Sequence, residues 1–498
     1  ADKLFFEIPY TQYLERFDQL WLLSKDSFKE NLLDKEADKY GKKLQRVSVT
    51  SLLYKDLDKC REILTHNLSQ WNPEVDKDLL DEGVQKLLDR LIFLRVAEDR
   101  KIEEPILVPL IREWESKGRK GSLYQSMVKK FRELNEVYNS NLFSEHPFEE
   151  WKEYDNVTEK VFNILYGKKG YYEYDFQAMP ADVLGGVYEN YLGYKLNKSK
   201  KGLSVGKDAK KRKEHGIYYT PDFIVDYIVK NTLKPVLDKC KSVNDLSKIK
   251  VLDPACGSGS FLIKALDVIY EKYQEFGYSD KVNTKIMILL ENIYGVDLDS
   301  QAVEIARLNL LISALDKRMK LPGLEKNIKN GNSLISGTDE ELKKYFGKNF
   351  KDKKPFNWQE EFPEVFKQGG FDVIIGNPPY LFSRENLSTE EKNFFYKTYQ
   401  LTQFKLNTYI LFIEKSFNLL NKNGLLSFII PNNWLTLENT SDFRQFCLTK
   451  AFDIDIVDVI DKVFQSASVD NSIITLKKKG KTAITLSNMD ENGVHKIV

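Results

Sequence analysis

Cysteine and histidine are both rare in this sequence of 498 residues, which contains four of each. The cysteines (Cys60, Cys240, Cys256 and Cys447) lie far apart and form no CxxC pair, so neither a zinc ribbon nor a disulfide framework is expected. The histidines are equally scattered, which argues against a histidine-based metal site. The sequence therefore predicts a reduced, cytoplasmic protein without a bound metal.

Long apolar runs and an excess of charge of either sign are also lacking. No apolar run approaches the roughly 20 residues that a membrane span needs, and the first residues do not form a signal-peptide pattern. The 75 basic side chains nearly balance the 74 acidic ones, which gives a formal net charge of +1 at pH 7. Net charge therefore does not indicate a nucleic-acid-binding protein, although a local basic patch still attracts phosphates at short range.

The first part of the chain has the spacing of helices. Up to about residue 196 apolar residues recur every three or four positions, as at Leu80, Val84 and Leu87, which predicts a helical connector domain over residues 1–196. Residues 197–214 then carry many lysines and an arginine among small residues. This stretch is interpreted as a mobile basic linker, which is either merely solvated or in contact with nucleic-acid phosphates.

Residues 215–481 alternate short β-rich runs with helical ones. This alternation predicts an α/β domain with a doubly wound, mostly parallel sheet. The strand candidates cover residues 249–252, 293–296, 371–375, 425–430, 455–459 and 471–476, and the helix candidates include residues 261–273, 300–315 and 409–420.

A strand runs into a glycine-containing turn and then a helix at residues 251–261, Val-Leu-Asp-Pro-Ala-Cys-Gly-Ser-Gly-Ser-Phe. Glycine is needed at such a turn because the backbone must approach a ligand closely. The next strand ends at Asp297, where a carboxylate can accept both hydroxyl hydrogens of a ribose. Asp297 lies further from the turn than the roughly 20 residues typical of dinucleotide folds. A helix N-cap before residue 300 is the alternative role of Asp297.

Two other segments are candidates for the same site. Thr220 precedes Pro221 at the start of a predicted helix, so a role in binding a carboxylate depends on the larger pattern. Asn332 and Ser333 follow the third candidate strand region, where a side chain can hydrogen-bond an adenine ring.

Residues 371–380, Phe-Asp-Val-Ile-Ile-Gly-Asn-Pro-Pro-Tyr, are the most informative stretch of the sequence. A buried strand delivers Asn377, Pro378, Pro379 and Tyr380 to its carboxyl end, where open α/β sheets bind ligands. The Asn377 side-chain oxygen and the Pro378 carbonyl can accept the two hydrogens of an exocyclic amine and draw its lone pair toward a methyl carbon. Tyr380 offers a flat face to a base, which must leave a duplex to reach such a pocket. A simple turn is the alternative interpretation.

These motifs resemble those of the amino-methyltransferases of bacterial restriction-modification systems, in the gamma order that places the cofactor motifs first and the catalytic motif after them. Residues 88–100, the Tyr188-Glu189 segment and residues 362–372 resemble fused type IIG enzymes and related type I-like methylases. The resemblance implies a Rossmann-like S-adenosylmethionine-dependent methyltransferase sheet preceded by an all-α helical domain. It also implies site-specific methylation of adenine N6 in double-stranded DNA.

The resemblance further implies which residues form the site. Tyr380 and Phe464 would stack on the flipped adenine, although Phe464 is alternatively a core residue. The family often has Asp at the position of Asn332. The cofactor site would contain Tyr219, Thr220, Asp253, Pro254, Ala255, Gly257, Ser258, Gly259, Asp297, Leu298, Asn332, Ser333 and Asn377.

Other domains and other activities remain open on the sequence alone. Residues 482–498 are expected to begin a truncated target-recognition region, and no Asp…Glu-x-Lys nuclease cluster is found near the start. Nuclease and recognition domains are therefore expected in a longer parent chain or a partner subunit. The alternatives to adenine methylation are methylation of protein glutamine N5, methylation of cytosine N4, which more often goes with Ser at the first motif position, and a binding-only module.

Overall fold

A computed structural model describes the chain at residues 10–29, 32, 49–138, 141–154, 156–168, 170–177, 194–199, 202–207, 220–315, 317–380, 387–402, 406–460, 470–478, 483–490 and 493–496. Contacts divide the chain into two compact units, Ala1–Lys55 and Asp56–Val498. Tyr219, Phe464 and residues 208–214 lie outside the described residues, as does the predicted helical segment at 181–192.

The described part of the first 177 residues is helical, as the apolar spacing predicts. Asp76 caps the helix Lys77–Asp99 by accepting a hydrogen bond from the Asp78 N–H at 2.8 Å. Residues 87–98 of that helix are all buried, so it forms the centre of the helical region. The helices are α1 (Phe17–Trp21), α2 (Lys25–Lys29), α3 (Val49–Trp71), α4 (Lys77–Asp99), α5 (Leu107–Ser116), α6 (Leu123–Tyr138) and α7 (Val157–Leu165).

Strands and helices alternate from residue 222 onward. The helices are α8 (Asp222–Leu237), α9 (Val243–Lys248), α10 (Ser260–Glu275), α11 (Lys281–Glu291), α12 (Ser300–Ala314), α13 (Asp339–Phe346), α14 (Trp358–Glu361), α15 (Pro363–Lys367), α16 (Thr389–Thr398), α17 (Thr408–Leu419) and α18 (Ser441–Lys450). After the hairpin strands β1 (Tyr194–Ser199) and β2 (Gly202–Lys207) come β3 (Val251–Asp253), β4 (Ile293–Asp297), β5 (Ile328–Asn330), β6 (Phe371–Gly376), β7 (Leu420–Pro431), β8 (Asp453–Val459), β9 (Asn471–Lys477), β10 (Ala483–Asp490) and β11 (Gly493–Lys496).

One nine-stranded sheet, in the order β11-β10-β8-β9-β7-β6-β3-β4-β5, organises this region. The pairs from β7 to β5 are parallel, and β9 lies antiparallel between β7 and β8. This arrangement confirms the predicted doubly wound, mostly parallel sheet. Because β3 lies between β4 and β6, the glycine turn and residue 377 follow neighbouring strands at the same edge of the sheet.

Two segments differ from the interpretation of the sequence. Strands β1 and β2 form an antiparallel hairpin that begins at Tyr194 in the predicted helical domain and continues into the stretch taken as a mobile linker, with Leu196 paired with Val205. Residues 483–490, expected to begin a separate recognition region, extend the main sheet as β10 by parallel pairing with β8. β11 then pairs with β10, so both strands belong to the nine-stranded sheet.

Helices of the first half contact the sheet domain directly. The Arg100 guanidinium donates a hydrogen bond to the Ile312 carbonyl at 2.8 Å, and the Arg318 guanidinium lies 3.0 Å from the Glu103 carboxylate. Residues 56–177 and the sheet accordingly lie in one compact unit. Across the described residues, no helix is long and apolar enough to cross a membrane, and no group of three or more His, Cys, Asp or Glu side chains is arranged to hold a metal.

Candidate active site at the carboxyl edge of the sheet

The glycine turn closes over the ends of β3 and β4. Gly257 and Gly259 have positive φ angles of 51° and 89°, which glycine adopts without a steric penalty. A Cβ atom at Gly259 would lie 3.3 Å from that of Ala306 on α12. Glycine therefore permits both the turn and the close packing of α12 on the start of α10.

Asp297 is bonded to this turn. Its Oδ2 atom accepts a hydrogen bond from the Gly257 N–H, and its Oδ1 atom accepts one from the Asp299 N–H, both at 2.9 Å. Burial raises the pKa of Asp297 to about 6. The N-cap of α12 is Asp299, which accepts from the Gln301 N–H at 2.8 Å, so the alternative role of Asp297 as that N-cap is wrong.

The turn after β5 supports the glycine turn from the other side. The Gly331 N–H donates to the Asp297 carbonyl at 2.9 Å, and the Ser333 hydroxyl donates to the Pro254 carbonyl at 2.6 Å. The Asn332 side-chain oxygen accepts from the Leu334 N–H at 3.1 Å. Leu298 is 43% exposed beside them. The structure therefore brings these predicted residues together, and it gives Ser333 a structural partner within the loop.

Asp253 lies beneath the turn at the end of β3. It is 1% exposed, it accepts a hydrogen bond from the Ala255 N–H at 3.0 Å, and burial raises its pKa to about 8. The neighbouring Ser258 is also buried, and its carbonyl accepts from Asn309 at 3.0 Å. A Cβ atom at Gly376 would lie only 2.6 Å from Asp253 Oδ1. The last residue of β6 thus packs directly on the end of β3.

Asn377 follows Gly376, and its side chain forms a hydrogen bond with a residue that is distant in sequence. Its side-chain nitrogen donates to the Thr220 hydroxyl at 3.0 Å. Its side-chain oxygen is buried and has no hydrogen-bond partner among the described residues. Buried acceptors without a partner are rare and costly in native proteins. The unused acceptor of Asn377 is therefore suited to a donor on a ligand.

The rest of the motif is bonded to two neighbouring elements. The Thr408 hydroxyl donates to the Pro379 carbonyl at 2.5 Å, and the Tyr380 hydroxyl donates to the Ile429 carbonyl on β7 at 2.9 Å. The ring of Tyr380 packs edge-on against that of Tyr409, with centroids 6.2 Å apart. The sequence interpretation missed Thr408 and Gly376. Of these, only Gly376, next to the motif, left a signal in the sequence.

Comparisons with known proteins agree with the predicted family resemblance and with the fold. Residues 291–464 match the family model of the Eco57I restriction-modification methylase, and residues 244–325 match that of the RMKL-like methyltransferase domain. The type II restriction enzyme and methyltransferase RM.Eco57I of Escherichia coli is 29% identical over 88% of this chain and 44% of its own length. The adenine-specific methyltransferase PglX of Streptomyces coelicolor is 28% identical over 34% of this chain and 15% of its own.

The fold is also that of a solved enzyme. The structure of the type IIL restriction-modification enzyme MmeI in complex with DNA superposes with a TM-score of 0.61 at 17% sequence identity, over 88% of this chain and 59% of that chain. The chain thus spans less than half the length of the curated relatives described above. The comparisons confirm the predicted resemblance, and residues 291–464 are similar to the Eco57I restriction-modification methylases.

Proposed function

We propose that this chain transfers a methyl group from S-adenosylmethionine to the exocyclic N6 of an adenine flipped out of double-stranded DNA. The observation that carries the proposal is the buried, unpartnered side-chain oxygen of Asn377 beside the glycine turn. An adenine amine is a donor that would satisfy this oxygen.

The residues around the glycine turn fit S-adenosylmethionine. Gly257 and Gly259 form a tight turn with positive φ angles at the end of β3, and Asp297 lies at the strand end where a carboxylate accepts ribose hydroxyl hydrogens. Thr220 is placed beside Asn377, which supports its assignment to the methionine carboxylate. When bound, the cofactor supplies a methyl carbon attached to a sulfonium.

The protein's part in the reaction is to place the amine. Asn377 Oδ1 and the Pro378 carbonyl would each accept one hydrogen of the amino group. The neighbouring Pro379 carbonyl is already engaged by Thr408, which favours Pro378 as the second acceptor. Fixing the nitrogen's direction reduces the entropic part of the barrier, so positioning alone supplies a large rate enhancement.

DNA adenine is the substrate that the relatives favour. The names of the relatives include a restriction enzyme and an adenine-specific methyltransferase. Tyr380 is only half-buried and is bonded through its hydroxyl, so its ring has a fixed orientation for stacking on a base. Phe464 is proposed as the opposite face of this stack.

The proposal is tested by incubating the protein with labelled S-adenosylmethionine and double-stranded DNA and identifying the modified base by mass spectrometry. We expect N6-methyladenine from the wild type and none from Asn377→Ala, with cofactor affinity nearly unchanged in that variant. Asn423→Ala, an exposed asparagine at the start of β7, is the matched control and should retain the wild-type rate. Methylation of cytosine N4, methylation of protein glutamine, or a wild-type rate in Asn377→Ala would refute the proposal.

A further inference from the structure

The candidate catalytic loop, residues 377–380, has no backbone N–H donor at its two central residues. Pro378 and Pro379 lack an N–H group, so the backbone of the loop cannot be fixed in the usual way by N–H donation at these two positions. Its orientation depends instead on donors from other elements to its carbonyl groups. The donor that the structure provides at the second proline is the side-chain hydroxyl of Thr408.

Thr408 is well placed to fix the loop. It is the first residue of α17 and is 3% exposed, and its Oγ1 atom lies 2.5 Å from the Pro379 carbonyl oxygen. Tyr409, Leu411 and Ile413 of the same helix are fully buried, so α17 is fixed in the core. The ring of Tyr409 also packs edge-on against Tyr380. The start of α17 therefore contacts both the carbonyl and the aromatic ring of the motif.

We infer that Thr408 is a positioning residue for methyl transfer, an inference that rests on the function proposed above. Its hydrogen bond fixes the peptide plane that follows Pro379. This plane contains the backbone nitrogen of Tyr380. Fixing it also limits the rotation of the preceding peptide group, which contains the Pro378 carbonyl. Loss of the hydroxyl should leave the residues that bind DNA and cofactor in place but misorient the adenine amine. The rate of methyl transfer should therefore fall more than the affinity for DNA or cofactor.

The test compares three variants in steady-state methylation of DNA, with cofactor affinity measured separately by calorimetry. Thr408→Val removes the hydroxyl, Thr408→Ser retains it, and Thr232→Val removes a buried hydroxyl that bonds within α8 to the Ile228 carbonyl. We expect kcat of Thr408→Val to fall by on the order of 10- to 100-fold. KM for DNA and the cofactor Kd should change little, and both Thr408→Ser and Thr232→Val should stay near wild type.

Each other outcome is informative. A wild-type kcat in Thr408→Val, or an equal loss in Thr408→Ser, would overturn the inference while wild-type methylation of adenine leaves the proposed function intact. A parallel loss of cofactor affinity would also overturn it, because that result indicates general damage to the site. If Thr408→Val is unfolded at the assay temperature, Thr408→Ala replaces it, since the smaller side chain avoids a methyl group close to the Pro379 carbonyl oxygen. Absence of adenine methylation by the wild type would refute the proposed function itself.

Discussion

Asp253 and Asp297 place two carboxylates, the first fully buried and the second half-buried, at the ends of adjacent strands, and their surroundings give them different proton affinities. Burial raises the pKa of Asp253 to about 8 and that of Asp297 to about 6. The pKa of Asp253 is therefore raised further above its ordinary value than that of Asp297, so Asp297 is the more readily ionised of the two. An ionised carboxylate accepts hydrogen bonds at both oxygens, whereas a protonated one carries an O–H donor and has less acceptor capacity for ribose hydroxyls. Asp297 is thus the better hydrogen-bond acceptor of the two for the ribose hydroxyls of a cofactor.

This difference predicts a pH dependence of cofactor affinity. Asp297 gains a proton as the pH falls through about 6, and a protonated carboxyl group accepts fewer hydrogen bonds. Affinity for S-adenosylmethionine should therefore fall toward about one tenth between pH 7 and pH 5. Calorimetric titration across this range measures the effect. Asp297→Asn should bind weakly at every pH without the break near pH 6, and a pH-independent wild-type affinity would contradict the prediction.

At the scale of single residues the sequence contains signals for most of the proposed site but not for the contacts that join its residues. The glycine turn, Asp297 and Asn377 are recognisable because each follows a short apolar run and has a chemistry that a turn alone does not require. The bond between Thr408 and Pro379 is not recognisable, because a threonine before an apolar helix equally indicates an ordinary helix start. The relation between Gly376 and Asp253 likewise depends on which strands become neighbours.

The end of strand β6 is the element that joins the two halves of the site. Gly376 has a φ angle of +153°, and its missing side chain leaves room for the Asp253 carboxylate. Gly376→Ala should force these elements apart, with a cost of about 1–3 kcal/mol in the free energy of unfolding. Because Asn377 follows Gly376 immediately, the rate of methylation should fall by a larger factor than the fraction of folded protein. Denaturant unfolding and kinetics on the same preparations measure the two effects.

Gly369→Ala provides the control for backbone strain without crowding. Gly369 has a φ angle of +95° and no atom within 4 Å of the position of an added Cβ. This variant should lose some stability while retaining methylation. Equal losses of methylation in Gly376→Ala and Gly369→Ala would show that crowding of the Asp253 carboxylate does not cause the loss.

Secondary structure was predictable where apolar periodicity was strong. Strands β3, β4 and β6 to β9 and helices α10, α12 and α17 all appear within a few residues of their predicted ranges. The hairpin β1–β2 was missed because lysines dominate the composition there, while the pairing of Leu196 with Val205 involves few apolar residues. Strand β10 was missed for another reason. Its alternating residues indicate a strand, but only the position of β8 decides that it joins the main sheet.

In the molecule as a whole, helix α12 connects the candidate site with the helical region. It begins just after Asp297, and near its end the Ile312 carbonyl accepts the hydrogen bond from Arg100. A cation near a helix C-terminus also interacts favourably with the helix dipole. The segment after α12 adds the ion pair of Arg318 with Glu103 and a backbone bond from Leu321 to Tyr138. No periodicity in the sequence reveals such contacts.

Arg100→Met tests whether this contact couples the two regions, because methionine keeps much of the apolar stem and removes the charged donor. The free energy of unfolding should fall by about 1.5–3 kcal/mol, the usual value of a hydrogen bond from a charged group. Amide hydrogen exchange should speed up together in the last turn of α12 and the end of α4, since the bond joins these two elements. Arg112→Met, at an exposed arginine of α5, should change stability by less than about 0.5 kcal/mol. Faster exchange in α4 alone would mean that the helical region and the sheet domain are stabilised independently of this bond.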